Sequence, residues 1–269
     1  MAKKNNMVIA EKGVVEQILK ISDDIWDMTI YAPRIAELCR AGQFVHVRVN
    51  DSFAPFLRRP LSIGPTWGEY FRLIFLVKGT GTKILAQKET GNEIDLIGPL
   101  GKPFQLPEPD QSPILVAGGI GAVPLLLLDD QIPSQQNRDF LLGIRSEKNI
   151  TVDEIEMERR GITVSSDDGS IGFHGTVVEL LEKRLEEKGE KNQVVYGCGP
   201  GPMLQALKNL CLAKSVPAFI SLEVPMGCGI GACQSCAVPK ADGSGYYLVC
   251  QDGPVFESTV VDLNPESLP

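Results

Sequence analysis

PEPDQSPILVAGGIGAVPLLLL, residues 107–128, separates two patterns of hydrophobicity in the chain. Pro107 to Pro113 holds three prolines and reads as a linker. The fifteen residues that follow, Ile114 to Leu128, are the longest apolar run in the sequence. Gly118, Gly119, Gly121 and Pro124 interrupt it, and it falls short of the ~20 residues a membrane-spanning helix needs. It reads as a short buried strand, Ile114 to Ala117, that runs into a glycine turn.

Before the linker the pattern is β. Val45, Val47 and Val49 alternate with His46 and Arg48, and Leu73 to Val77 and Glu93 to Ile97 read as further strands. Helical stretches fit only near Ile35 to Cys39 and Lys83 to Gln87. Short strands with frequent turns predict a small antiparallel barrel. After the linker, Phe140 to Ile144, Ile162 to Ser165, Val194 to Tyr196 and Phe219 to Leu222 are short apolar strands. Thr176 to Lys188 carries Val178, Leu181 and Leu185 on one face. Pro202 to Lys214 carries Met203, Leu204, Leu207, Leu210 and Cys211. Strands that alternate with helices predict a parallel sheet. The expected fold class is multidomain β plus α/β. Its parts are an antiparallel β-barrel over 1–108, a parallel α/β domain over 109–220 and a small Cys- and Gly-rich domain over 221–269.

Composition narrows the function. The chain has 269 residues, 43% apolar and 22% charged, with 27 Gly and 19 Pro. These are the proportions of a turn-rich globular protein. The net charge of −8 argues against a nucleic-acid groove or an anionic membrane surface. Met1 to Gly13 lacks the ~7–15-residue apolar stretch of a signal peptide, so the expected location is cytoplasmic. Seven cysteines in such a chain do not suggest a disulfide framework.

Four of the seven, Cys228, Cys233, Cys236 and Cys250, fall within 23 residues. The opening spacing, C-x4-C-x2-C, is that of plant-type [2Fe–2S] proteins. Gly227, Gly229 and Gly231 let the chain curl with its N–H groups towards sulfur, and Ala232, Ser235 and Ala237 keep bulk away. A structural Zn(Cys)4 site and a dithiol C-x-x-C are the alternatives; the first favours two separated C-x2-C knuckles, and the second does not account for four cysteines.

Two further signals are glycine-rich turns. RRPLSI (58–63) ends a barrel strand, and GTGT (79–82) opens a short helix, where an arginine beside free N–H groups could neutralise a pyrophosphate. The alternative is a surface turn with a helix cap. VAGGIGAVP (116–124) and YGCGP (196–200) end parallel strands, where ligands of such sheets sit. Pro124 replaces the last glycine of the usual dinucleotide fingerprint, so a structural turn stays open there. Cys198 could face a ligand or serve as a small buried hydrophobe. His46 and His174, the only two histidines, read as structural.

Taken in order, RRPLS, GTGT, GPLG (98–101), GGIG, YGCGP and the cysteine cluster resemble the ferredoxin-reductase superfamily. MGCGIGACQSC (226–236) with CQDGPVF (250–256) resembles the electron-transfer subunits of NAD-dependent dihydroorotate dehydrogenases. The resemblance implies FAD on the barrel, contacted by Arg59, Pro60, Leu61, Ser62, Ile74, Phe75, Leu76, Gly81 and Thr82. It implies NAD on the parallel sheet, near Gly118, Gly119, Gly121, Gly197, Cys198 and Gly199. It implies [2Fe–2S] on Cys228, Cys233, Cys236 and Cys250. Leu61 stands where many superfamily members carry an aromatic residue. Arg145 could meet a 2′-phosphate, so NAD rather than NADP follows from the resemblance alone. No HExxH or GxSxG motif supplies other chemistry.

The implied partner is an FMN-containing catalytic subunit that converts dihydroorotate to orotate in pyrimidine biosynthesis, in a two-plus-two heterotetramer. Other readings are a reductase serving ferredoxin, a hydrogenase or an oxygenase, including a bifurcating NADH–ferredoxin–NADP reductase subunit, and a zinc-stabilised binding module.

Overall fold

A computed structural model describes residues 7–189 and 192–264. Residues 1–6, part of the segment read for targeting, and 265–269, the end of the expected third domain, lie outside the described residues.

The first layer contains β1 (Ile9–Lys20), β2 (Ile25–Tyr31), α1 (Pro33–Leu38), β3 (Phe44–Arg48), β4 (Arg59–Ser62), β5 (Thr66–Trp67), β6 (Tyr70–Leu76), α2 (Thr80–Leu85) and β7 (Glu93–Leu100). Its strands pair antiparallel in the order β4-β3-β7-β1-β2-β6-β5. This is the expected barrel, open between its two end strands. The second layer contains β8 (Ser112–Gly118), α3 (Ala122–Gln131), β9 (Asp139–Ile144), α4 (Glu154–Arg160), β10 (Ile162–Ser166), β11 (Phe173–His174), α5 (Val177–Lys188), β12 (Gln193–Cys198), α6 (Gly201–Ala213) and β13 (Ala218–Ser221). Its strands run parallel in the order β11-β10-β9-β8-β12-β13. The chain then forms β14 (Ala237–Pro239), β15 (Tyr246–Leu248), α7 (Val249–Asp252) and β16 (Val255–Glu257). β16 returns to pair antiparallel with β13.

Period-two alternation sorts the side chains between two cores. On β8, Leu115 and Ala117 face the core shared with the barrel and α3, while Ile114 and Val116 face α5, α6 and the C-terminal segment. On β3, Val45 and Val47 face the barrel core, and Phe44 faces the core that holds Cys236 and Cys250. α3 lies inside the first core and is apolar on nearly every side; residues 122–129 are all buried. The apolar face of α5 differs by one position from the expected one. Val177, Leu180, Leu181 and Leu185 are buried, and Val178 only packs against their edge. No helix among the described residues is long and apolar enough to cross a membrane.

Candidate functional site

The parallel sheet reverses its direction of progression between β8 and β12. That switch point is where ligands of open α/β sheets sit. GGIG and GCGP meet there. A Cβ at Gly118 would lie 2.5 Å from Met203 Sδ and 2.7 Å from Pro200, and one at Gly199 would lie 3.0 Å from Gly118 Cα. A Cβ at Gly121 would collide with the Cys198 carbonyl. Gly197 is needed for packing as well, since a Cβ there would come within 2.9 Å of Leu207. These glycines let the two turns and α6 close on each other. Gly119 differs from them: it has φ +52° with open space at its Cβ position, and its carbonyl accepts from the buried Thr151 hydroxyl at 3.1 Å. Cys198 is half-buried beside them. Burial, with help from the charge of Glu223, pushes its thiol up to about 12, so it stays protonated.

The flavin-type motif also assembles. Arg58 and Arg59 diverge. Arg58 pairs with Asp95 of β7 at 2.9 Å and donates to its carbonyl at 3.0 Å. Arg59 lies along Gly81, where a Cβ would strike its guanidinium, and it donates to the Leu57 carbonyl at 2.5 Å. Among the described residues no carboxylate pairs with Arg59, so its charge is left for an anion. The Thr82 hydroxyl accepts from the N–H groups of Lys78 and Gly79 at 3.0 and 3.2 Å and fixes the GTGT turn. Pro60, Leu61 and Ser62 are half-buried on β4. Ile74 and Phe75 of β6 are buried in the barrel core, which leaves their backbone and the exposed Leu76 side chain to meet a ligand. Two residues past Ser62, a Cβ at Gly64 would lie 3.3 Å from Val123 of α3. This contact brings the barrel motif up to the switch point.

The cysteines come together through a hairpin. β14 follows Cys236, β15 precedes Cys250, and their antiparallel pairing sets the two sulfurs 3.3 Å apart. Cys228 and Cys233 interlock: the Cys228 N–H donates to Cys233 Sγ at 3.4 Å, and the Cys233 N–H donates to Cys228 Sγ at 3.3 Å. Further N–H groups converge on sulfur, from Ala232 to Cys228 at 3.3 Å and from Gly231 to Cys250 at 3.1 Å. Positive φ at Gly229 (+70°) and Gly231 (+82°) turns the loop inward. The Ser235 hydroxyl and backbone hydrogen bonds hold the Cys233 thiol down to about 6, whereas burial and the neighbouring Cys236 push Cys250 up to about 12. The segment seats on the end of β7, where a Cβ at Gly101 would clash with Pro254 and the Lys102 N–H donates to the Gly253 carbonyl at 2.5 Å.

Residues 223–262 match the family described as the iron–sulfur cluster binding domain of dihydroorotate dehydrogenase B. The chain is 39% identical over 249 residues to the "dihydroorotate dehydrogenase B (NAD(+)), electron transfer subunit" of Desulforamulus reducens, covering 90% of this chain and 94% of that one. It is 37% identical over 259 residues to the protein of the same name from Fusobacterium nucleatum, covering 94% and 98%.

The chain belongs to the electron transfer subunits of dihydroorotate dehydrogenase B (NAD(+)).

A solved NADH-dependent reduced ferredoxin–NADP oxidoreductase, described for flavin-based electron bifurcation, superposes with a TM-score of 0.81 at 26% identity, covering 93% of this chain and 90% of that chain. As an electron transfer subunit the chain works with a catalytic partner. Its sulfur donors fit an iron–sulfur core: they come as two pairs, each ringed by N–H groups. Among the described residues no three His, Cys, Asp or Glu side chains converge on a single ion. The sequence reading took Ser235 only as a small residue and did not foresee the role of its hydroxyl. It is 3.1 Å from Cys233 Sγ and accepts from the Gly227 N–H at 2.9 Å. Its position between two cysteines is the signal that pointed to it.

Proposed function

We propose that this subunit takes electrons from an FMN-containing catalytic subunit that oxidises dihydroorotate to orotate, and delivers them through [2Fe–2S] and FAD to NAD+. The assembly is a heterotetramer of two plus two in the cytoplasm, acting in pyrimidine biosynthesis. The chain divides into an FAD-binding half-barrel over 1–108, an NAD-binding α/β domain over 109–220 and a [2Fe–2S] domain over 221–269. When bound, these groups supply one-electron transfer at the cluster, two-electron hydride transfer at nicotinamide, and a flavin able to do both.

The residues divide the work. Cys228, Cys233, Cys236 and Cys250 would hold the cluster, and the converging N–H groups would stabilise the negative charge on sulfur. Arg59 neutralises the pyrophosphate of FAD over the Gly81–Thr82 turn, and Pro60, Leu61, Ser62, Ile74, Phe75 and Leu76 line the flavin with side chain or backbone. Gly118, Gly119, Gly121, Gly197, Cys198 and Gly199 shape the nicotinamide end of the switch point. The observation that carries this reading is the paired, N–H-ringed set of four sulfurs seated against the flavin-type half-barrel.

Co-purification with the catalytic subunit tests it. One FAD and two irons per chain are expected, with dihydroorotate-dependent NAD+ reduction. Cys233→Ser is expected to lose iron and dihydroorotate:NAD+ activity yet keep NADH-to-dye reduction. A colourless zinc protein overturns the reading, and so does a complex that reduces ferredoxin from NADPH but does not respond to dihydroorotate.

A further inference from the structure

His46 is polar, 1% exposed, and its Nε2 has no hydrogen-bond partner among the described residues. A buried polar atom without a partner calls for one. Three observations place the ring at the seam between the flavin strand and the cluster loop. His46 is the register partner of Pro60 on β4 and of Ile97 on β7. Strand alternation puts it on the same face as Phe44, whose ring is 5.8 Å away and which belongs to the core containing Cys236 and Cys250. On the other side, the backbone of Gly229, the residue after Cys228, comes so close that a Cβ there would lie 2.7 Å from Nε2. Gly229 has to be glycine both for its φ of +70° and for this contact.

We propose that His46 is a positioning residue of the electron relay, whose imidazole seats the cluster loop on the flavin strand and whose Nε2–H donates to a sulfur of the cluster. The proposal rests on the four cysteines holding that cluster. Burial and the nearby Arg58 charge both disfavour the charged imidazolium. A donor to sulfur stabilises the additional negative charge of the reduced cluster and raises its potential. His46 thus links the two elements, its backbone paired with Pro60 and its ring against Gly229.

The test uses the holo-complex, rebuilt from an electron transfer subunit labelled with ¹⁵N in its histidine rings and an unlabelled partner. The chain has only two histidines, and His174 lies on the far edge strand of the parallel sheet. Pulsed EPR of the dithionite-reduced cluster is expected to show coupling to an imidazole ¹⁵N. That coupling should disappear in His46→Gln. In a redox titration His46→Phe is expected to shift the cluster potential negative, while His46→Gln, which keeps a donor, stays nearer the wild type. Wild-type protein without imidazole coupling overturns the proposal, as does His46→Phe with full iron and an unshifted potential. If His46→Phe does not fold, the labelled wild-type spectrum decides. An iron-free wild type would instead refute the cluster reading itself.

Discussion

At the scale of single residues, glycines that look alike in the sequence have different functions. In GGIG, Gly121 is pressed against the Cys198 carbonyl, and Gly119 has empty space at its Cβ position. Overpacking against fixed backbone costs about 1–3 kcal/mol or more. A left-handed φ in a residue with a side chain costs about 1–2 kcal/mol. Gly121→Ala is therefore expected to cost at least as much stability as Gly119→Ala and to push the two turns apart. Gly119→Ala should keep the fold and change mainly the KM for nicotinamide dinucleotide, since its Cβ would enter the open side of the turn. Denaturant melts with steady-state kinetics check both. The motif alone could not sort these glycines, because what each one faces is supplied by residues about eighty positions away.

At the scale of elements, helices α5 and α6 and every strand of the parallel sheet but β11 were legible. α6 buries Leu204, Leu207 and Cys211 as its spacing implies. β1 and β2 were not read from the sequence. β1 carries Gly13 and four charged side chains, and its pairing shifts between Val15 and Gln17. A bulge breaks the period of two on which strand reading depends. The β14–β15 hairpin holds Cys236 against Cys250, and Val238 at its centre is fully buried. Placing a charge there is strongly unfavourable. Val238→Asp is expected to lose iron while retaining FAD. Iron and flavin assays on the purified complex check this, and parallel loss of both would show that the hairpin and the half-barrel do not fold separably.

At the scale of the whole molecule, a buried ionic network joins the layers. Arg72 of β6 meets Asp27 of β2 at 2.6 Å and Glu156 of α4 at 2.6 Å. Arg160 connects Glu156 at 3.0 Å and Asp129 of α3 at 2.6 Å. Burial alone would raise the Glu156 pKa, but Arg72 and Arg160 outweigh it and hold the carboxyl below its usual range. A depressed carboxyl adds stability that is fully present above the unfolded pKa, about 4.3, and is lost as pH falls through the folded value. Resistance to thermal unfolding is thus expected to weaken on acidification below about pH 4.3, and less so in Glu156→Gln. At pH 7 that variant should be destabilised by about 2 kcal/mol, because it weakens charged hydrogen bonds to Arg72 and Arg160, which keep Asp27 and Asp129 as partners. Both expectations are read from unfolding curves at several pH values.

The sequence by itself determined the chemistry: four cysteines at a two-iron spacing, the arginine and glycine turns, and the change from β to α/β at residues 107–113. These are local properties, fixed by residue type and spacing within a few positions. The tertiary structure alone decided which side of each motif meets the next. It separated Arg58, bound to Asp95, from Arg59, left beside Gly81, and it buried His46 against Gly229, 183 positions away in the chain. Such contacts depend on how strands register and sheets stack, and no short window of sequence contains both partners.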